Sequence, residues 1–338
     1  MNSEISLIKN AIQARIRNGT PTSHSALRLF NGFLEGFPDL QIDLYADTIL
    51  MMNHAKDPSN LKVLLPQLQA TLVETFLKIH CIVLKERYAS QMESRNGRIL
   101  LGSNPADWIL ENNVKYHLDL TLNQDSSFYL DTRNLRIWLS SHAKGWEVLN
   151  TFAYTGSLGI ACLAGGASLV IQTDRTQRFL ELAERSRELN NLPPKNHKIQ
   201  PGDFFFIASR YRQKKEIFEC VIVDPPFFST STKGTVNLQT QYQRILNKIR
   251  PLVCDNGCLI AINNSLYQSG KDYLKMLEEI GSEGFVKLEE IIPVPEDITG
   301  YADTIKGSSP SDPAPFNHST KIAILKVKRK QLTGSIWI

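Results

Sequence analysis

Three aspartates stand where apolar runs end in the second half of the chain: Asp174 after LVIQT, Asp203 shortly after Lys198-Ile199-Gln200, and Asp224 in VIVDPPFFS. An acid at a strand end can cap the next element or accept hydrogen bonds from a ligand's hydroxyl or amino groups. Asp174 lies eighteen residues beyond the glycine turn Tyr154-Thr155-Gly156, near the offset at which an acid grips a ribose diol. Gly156 would let backbone approach a ligand more closely than a β-carbon allows. The chain has no GxGxxG, which counts against a dinucleotide. In Asp224-Pro225-Pro226-Phe227 the two prolines stiffen a segment without amide donors, leaving carbonyls free for a substrate, and Phe227 can stack on a flat ring.

These residues need a scaffold that brings strand ends together. Apolar runs at Val148–Phe152, Leu169–Ile171, Val221–Val223 and Leu259–Ile262 alternate with amphipathic stretches such as Thr176–Asn190. That alternation predicts a parallel sheet with helices on both faces, and ligands then bind at the strands' carboxyl ends. Asp131 is read as the cap of a helix running to about His142, with Leu130 and Leu135 as its staple. The first half reads as a smaller α+β domain. A helix is predicted over Ile5–Arg17, strands at Leu40–Leu44 and Ile49–Met52 about an Ala46-Asp47 turn, a helix over Leu61–Lys78, and strands near Cys81–Leu84, Trp108–Glu111 and Val114–Leu120. The expected division is an N-terminal helix (1–22), the small domain (23–120) and the α/β domain (121–330). Pro293–Asn317, with five prolines, is expected to be the least ordered stretch.

Composition narrows the function classes. With 338 residues, 42% hydrophobic and 21% charged, the chain is long enough for two packed domains and excludes disordered and collagen-like classes. Lys plus Arg total 38 against 34 Asp plus Glu, a mildly basic balance that permits RNA contact without demanding it. Arg210–Lys215, which interleaves Tyr211 with cations, and Lys326–Lys330 are the basic candidates. Five scattered cysteines make no disulfide framework, and Cys254/Cys258 lack the partners of a zinc site, so no metal is expected. The charged N-terminus has no apolar signal core, and the uncharged stretch Val148–Thr173 is broken by glycines and polar residues. A cytoplasmic protein without a membrane span is expected.

Four blocks carry a resemblance: QDSSFYLDTRNLR (Gln124–Arg136), VLNTFAYTGSLGIACLAGGA, Asp174 with the following helix ending in ELNNL, and DPPFFS. With LRLFNGFLEGFPDLQIDLYAD (Leu27–Asp47), the chain resembles class I S-adenosylmethionine-dependent methyltransferases, specifically the bacterial large-subunit ribosomal RNA methyltransferases, over roughly Leu27–Lys328. The family's PUA RNA-binding domain has no counterpart here, and Asp125-Ser126-Ser127 replaces its usual Lys-Thr-Gly. The resemblance implies a Rossmann-like catalytic sheet beside the smaller α+β domain. It implies S-adenosylmethionine as cofactor, with Asp174 on the ribose and Asp203 with Phe204 at the adenine. Asn150, Phe152, Tyr154, Thr155 and Gly156 would surround the methionine part, with Phe128 and Arg133 closing over it. Asp224, Pro225, Pro226 and Phe227 would face the target, Asp224 also contacting the cofactor, and RNA, foremost ribosomal RNA, would be the substrate.

Cytosine carbon 5 chemistry needs a cysteine nucleophile, which this family carries just after the fifth strand. Here that strand, read as beginning at Cys258, exits into Asn263-Asn264-Ser265 without a thiol. Asn263-Asn264 and Ser229 instead resemble the branch that methylates ring nitrogen 7 of guanine. An exocyclic amine, with the Pro225 carbonyl accepting its hydrogen, stays open. So do a protein-amide or small-molecule target and a cofactor-binding RNA adaptor without turnover.

Overall fold

A computed structural model describes residues 3–19, 21–231, 234–238 and 241–329. They form two compact units. One comprises the described residues of Met1–Ile137, Leu182–Asn191 and Val294–Pro310, the other those of Trp138–Glu181, Leu192–Pro293 and Ser311–Ile338.

In the first unit, period-two apolar patterning builds β1 (Ala26–Asn31), β2 (Leu40–Tyr45), β3 (Thr48–Asn53), β4 (Cys81–Glu86) and β5 (Arg98–Leu101), hydrogen-bonded in that order. All neighbours are antiparallel except β3 and β4, whose parallel pairing requires the crossover helix Ser59–Thr75. The β2–β3 turn holds Ala46 left-handed at φ 53°. A separate ribbon, β6 (Trp108–Glu111) and β7 (Val114–His117), turns through Asn112 and Asn113, both at positive φ, the geometry a two-residue hairpin favours. Ile5, Ile8 and Ile12 of the helix Ser3–Asn18 join Leu29, Ile42, Ile49, Leu68 and Ile82 in one core.

Pro293–Asn317 is ordered, contrary to the expectation from its prolines. Its helix Glu296–Thr299 carries Asp297, which is buried among arginines. The Asp297 carboxylate accepts from Arg133 at 2.7 and 3.1 Å and from the Arg28 backbone N–H at 2.9 Å. Its carbonyl oxygen accepts from the buried Arg15, which also pairs with Glu35 at 2.7 Å. Charge neutralisation, more than local propensity, fixes this segment.

In the second unit lie β8 (Glu147–Thr151), β9 (Leu169–Thr173), β10 (His197–Ile199), β11 (Phe218–Val223), β12 (Phe228–Ser231), β13 (Gly234–Asn237), β14 (Val253–Asn263), β15 (Val286–Ile292) and β16 (Lys321–Val327). Seven of them form a Rossmann-like sheet in the order β10-β9-β8-β11-β14-β16-β15, and β12–β13 is a separate hairpin. The first five strands run parallel. The sheet is nevertheless mixed, where a parallel one was expected, because β16 lies antiparallel to both β14 and β15. β14 also begins earlier than expected, at Val253, which places Cys258 mid-strand opposite Cys220. No helix among the described residues is long and apolar enough to cross a membrane.

Candidate functional site

The carboxyl ends of β8, β9, β11 and β14 share one edge of the parallel sheet, so the segments that leave them meet there. After β8 the backbone turns through three left-handed residues, Phe152 at φ 53°, Tyr154 at 51° and Gly156 at 78°, before the helix Ser157–Ala164 starts. Two non-glycine residues in that region within one turn is a strained arrangement, typical of loops shaped around a ligand. Asp174, at the end of β9, holds the turn: its two oxygens accept the Tyr154 and Thr176 N–H groups, each at 3.0 Å. Burial pushes the Asp174 carboxyl above the usual carboxylate range, opposed by these backbone donors. The Tyr154 ring stands edge-on to Phe179 at 4.7 Å, Thr155 is buried, and Phe152 stacks on the buried Phe204 at 4.6 Å.

Beneath this turn a buried polar chain crosses three strands. Asn150 Nδ2 donates to Gln172 Oε1 at 3.0 Å, and Gln172 Nε2 meets His197 Nε2 at 3.0 Å. A β-carbon on Gly159 would lie 2.6 Å from the Gln172 side chain, so the glycine makes room for it. Asn150 Oδ1 is left buried without a hydrogen-bond partner. An orphan acceptor of this kind is costly unless a ligand donor completes it.

Asp203 caps the helix Phe204–Lys214, its Oδ1 accepting from the Phe205 and Phe206 N–H groups. Asp224 follows the last residue of β11, and its charge is among the causes that raise the buried Tyr242 and Tyr273 hydroxyls, after desolvation. Pro225 is buried and Pro226 exposed, while Phe227 is 42% exposed and is therefore not a core residue. On β14, the neighbour of β11, Tyr273 and Tyr242 donate to the carbonyls of Ala261 and Ile262. The following turn is fastened by the Asn263 side chain, which donates to Gln268 at 2.8 Å and accepts the Ser265 N–H at 2.9 Å, and by buried Lys321, which donates to the Ser265 carbonyl at 2.9 Å. Neither this anchoring nor the Asn150–Gln172–His197 chain was foreseen. A glutamine inside the apolar run LVIQT was the one sequence signal for the latter.

Two expected cofactor contacts lie in the first unit and are engaged within it. Phe128 is buried, packed at 5.0 Å from Tyr116 with the Arg136 guanidinium 4.0 Å above its ring. Arg133 is held by Asp297, by Glu111 at 3.4 Å and by the Ala26 carbonyl, so its charge is already matched. The basic run Arg210–Lys215 exposes its cations, but Tyr211 is buried against Phe218 and bonded to Gln200, so its ring does not join them at the surface. In the second basic run Lys326 lies beside Glu289, and Lys330 falls outside the described residues, as does the side chain of Ser229. Among the described residues, no three His, Cys, Asp or Glu side chains are grouped to hold a metal ion.

The residues present suit S-adenosylmethionine: a buried orphan acceptor for an ammonium group, a carboxylate for a diol, and a left-handed turn that admits close backbone approach. Residues 27–302 match the family model described as S-adenosylmethionine-dependent methyltransferase. Ribosomal RNA large subunit methyltransferase I of Aeromonas salmonicida is 30% identical over 233 residues, 68% of this chain and 59% of that protein. The enzyme of the same name from Photobacterium profundum is 32% identical over 185 residues, 52% of this chain and 46% of that one. The chain thus spans about half to three fifths of the length of these relatives. The crystal structure of SMU.776 complexed with SAH superposes with a TM-score of 0.81 at 22% identity, covering 96% of this chain and 80% of that one, a likeness of fold. The family match covers most of the sequence and the sheet has the corresponding topology: the chain belongs to the S-adenosylmethionine-dependent methyltransferases.

Proposed function

We propose that this protein methylates a nitrogen of a base in large-subunit ribosomal RNA. The observation that carries the choice of nitrogen is the placement of the thiols. Cys81 is in β4, Cys162 in the helix Ser157–Ala164, Cys220 and Cys258 face each other mid-sheet, and Cys254 sits at the start of β14. None follows the carboxyl end of β11 or β14, and burial raises the pKa of all five, away from the reactive thiolate. Carbon 5 chemistry requires such a thiolate, whereas a nitrogen lone pair needs only in-line placement.

When bound, S-adenosylmethionine supplies an electrophilic methyl group on a sulfonium, which becomes a neutral thioether when the methyl leaves. The turn from Asn150 to Gly156, Asp174 and Asp203 with Phe204 would hold that cofactor. Asp224 and the carbonyls of Pro225 and Pro226 would accept hydrogens from the base edge, and Phe227 would stack on its face. A base inside a duplex cannot reach such a wall, so the target is unpaired or flipped out. The ribosomal substrate rests on the names of the relatives.

The test is methyl transfer from labelled cofactor to an in vitro transcript of large-subunit RNA, followed by mass analysis of nucleosides. A nitrogen-methylated base is expected, with no covalent adduct on RNA containing 5-fluorocytosine. Phe227→Ala should lose transfer by about 5- to 150-fold, from a stacking contact of roughly 1–3 kcal/mol, at unchanged melting temperature. Formation of 5-methylcytosine, or a trapped adduct, would overturn the nitrogen assignment.

A further inference from the structure

Beside the Asp224–Phe227 wall a second turn leaves the sheet, and its side chains have no internal reason to be apolar. β11 and β14 are parallel neighbours, with Val223 opposite Ala261, so the chain after Val223 and the chain after Asn263 emerge at the same edge. Neighbouring strands are about 4.8 Å apart. Four large side chains are exposed on these two exits: Phe227 at 42%, Phe228 at 58%, Leu266 at 46% and Tyr267 at 68%. Backbone laxity does not account for this exposure. Ser265, which precedes Leu266 and Tyr267, is buried, its carbonyl held by Lys321 and its N–H by Asn263, and Asn263 is tied in turn to Gln268 on the far side of the turn. The turn is thus fastened from beneath while its two largest side chains face solvent.

Continuity with the proposed target site selects the partner. The described cations on these exits are Arg244, two residues after the Tyr242 that bonds to Ile262, and Lys271, with the acids Asp224 and Asp272 at the ends of the same stretches. Exposed aromatic rings on two adjoining exits suit single-stranded nucleic acid, whose bases stack on aromatic side chains.

We infer that Tyr267 is a substrate-contacting residue, stacking on an unpaired RNA base at the second wall of the target site, across the sheet edge from Phe227. This deepens the proposed function and rests on it: the substrate class is a strand whose bases are splayed over two aromatic exits. Asn263, Gln268 and Lys321 position the turn and make no contact with the RNA.

The experiment measures kcat and KM for methylation of the large-subunit RNA transcript by the full-length protein and by Tyr267→Ala and Tyr267→Phe, alongside melting temperature and SAH affinity. Tyr267→Ala should raise KM by about 5- to 150-fold, while Tyr267→Phe, which keeps the ring, stays within a few-fold of the wild type. Melting temperature and SAH affinity should not move in either variant. An unchanged KM in Tyr267→Ala, a Phe variant as impaired as the Ala variant, or a lowered melting temperature would overturn the inference while leaving the proposed function standing. A defect seen on intact ribosomal subunits but absent on the transcript would overturn it too, by showing that the ring meets protein. Absence of any RNA methylation by the wild type would instead overturn the reading on which the inference is built.

Discussion

Asp174 concentrates the chemistry that a single residue can carry in this protein. It fastens the left-handed turn through the Tyr154 N–H and presents the charge expected to take a ribose diol. Replacing it by Ala removes a charge-assisted hydrogen bond of about 1.5–3 kcal/mol, so SAH affinity measured by calorimetry should fall roughly 10- to 150-fold. The pH dependence follows from its burial. The protonated acid is a poorer acceptor, and desolvation raises the pKa above the ordinary value of 3.8, so affinity should weaken on acidification before an ordinary aspartate would titrate. Asp174→Asn should flatten that limb of the profile, and an equally pH-sensitive Asn variant would assign the effect to another group. At this scale the sequence was legible where partners are close along the chain, as with Asp174, which follows a strand and stands beside the Tyr154–Gly156 turn. It was not legible for Arg133, whose carboxylate partner Asp297 lies 164 positions away in a segment whose prolines pointed to disorder.

Among the elements, the three strands under the Phe152–Gly156 turn are coupled by side chains as well as by their ladders. The Asn150–Gln172–His197 chain fills space that only a glycine at position 159 leaves open. Gly159→Ala would force the buried Gln172 amide aside, an overpacking defect of about 1–3 kcal/mol. A lowered urea midpoint, together with weaker SAH binding, should reveal it, and a variant of wild-type stability would show that Gln172 can yield. The parallel strands were readable because the apolar runs alternate with helical stretches that return the chain to the same edge. The antiparallel pair was not. Between Ile292 and Lys321 the helix Glu296–Thr299 has four residues, too short for a parallel crossover, and that shortness was the available sign.

For the whole molecule, buried titratable groups set the response to alkali. Lys85 donates to the carbonyls of Asn123 and Asp125, Lys321 to those of Ser265 and Ser319, and burial pushes both lysines down to about 8. The unfolded lysines hold their protons up to about 10.5, so between pH 8 and 10.5 each contributes stability that rises with pH. The opposite sign applies to all five cysteines and to Tyr45, Tyr211, Tyr242, Tyr273 and Tyr301, whose pKa values folding raises by desolvation. They lose stability once the unfolded thiols and phenols ionise, from about pH 9 upward. Ten groups against two favour the fall, so urea midpoints recorded under reducing conditions should drop between pH 8.5 and 10.5. A rising midpoint across that interval would mean that the lysines dominate.

The first unit is assembled from three stretches of chain, the last running from Val294 to Pro310. Asp297 in that last piece takes the guanidinium groups of Arg15 and Arg133 and the backbone N–H of Arg28. Synthesis therefore sets a delay. At about 5–20 residues per second, a ribosome needs on the order of ten seconds or more to pass from Ile137 to Pro310. Throughout that interval two guanidinium groups lack one of their acceptors, and the Arg28 N–H lacks its Asp297 partner, a residue still to be made. The nascent N-terminal portion cannot finish folding ahead of the rest, and a gene fragment ending at Ile137 would encode an unfinished unit that keeps the Arg15–Glu35 and Arg133–Glu111 pairs but lacks the Asp297 acceptors.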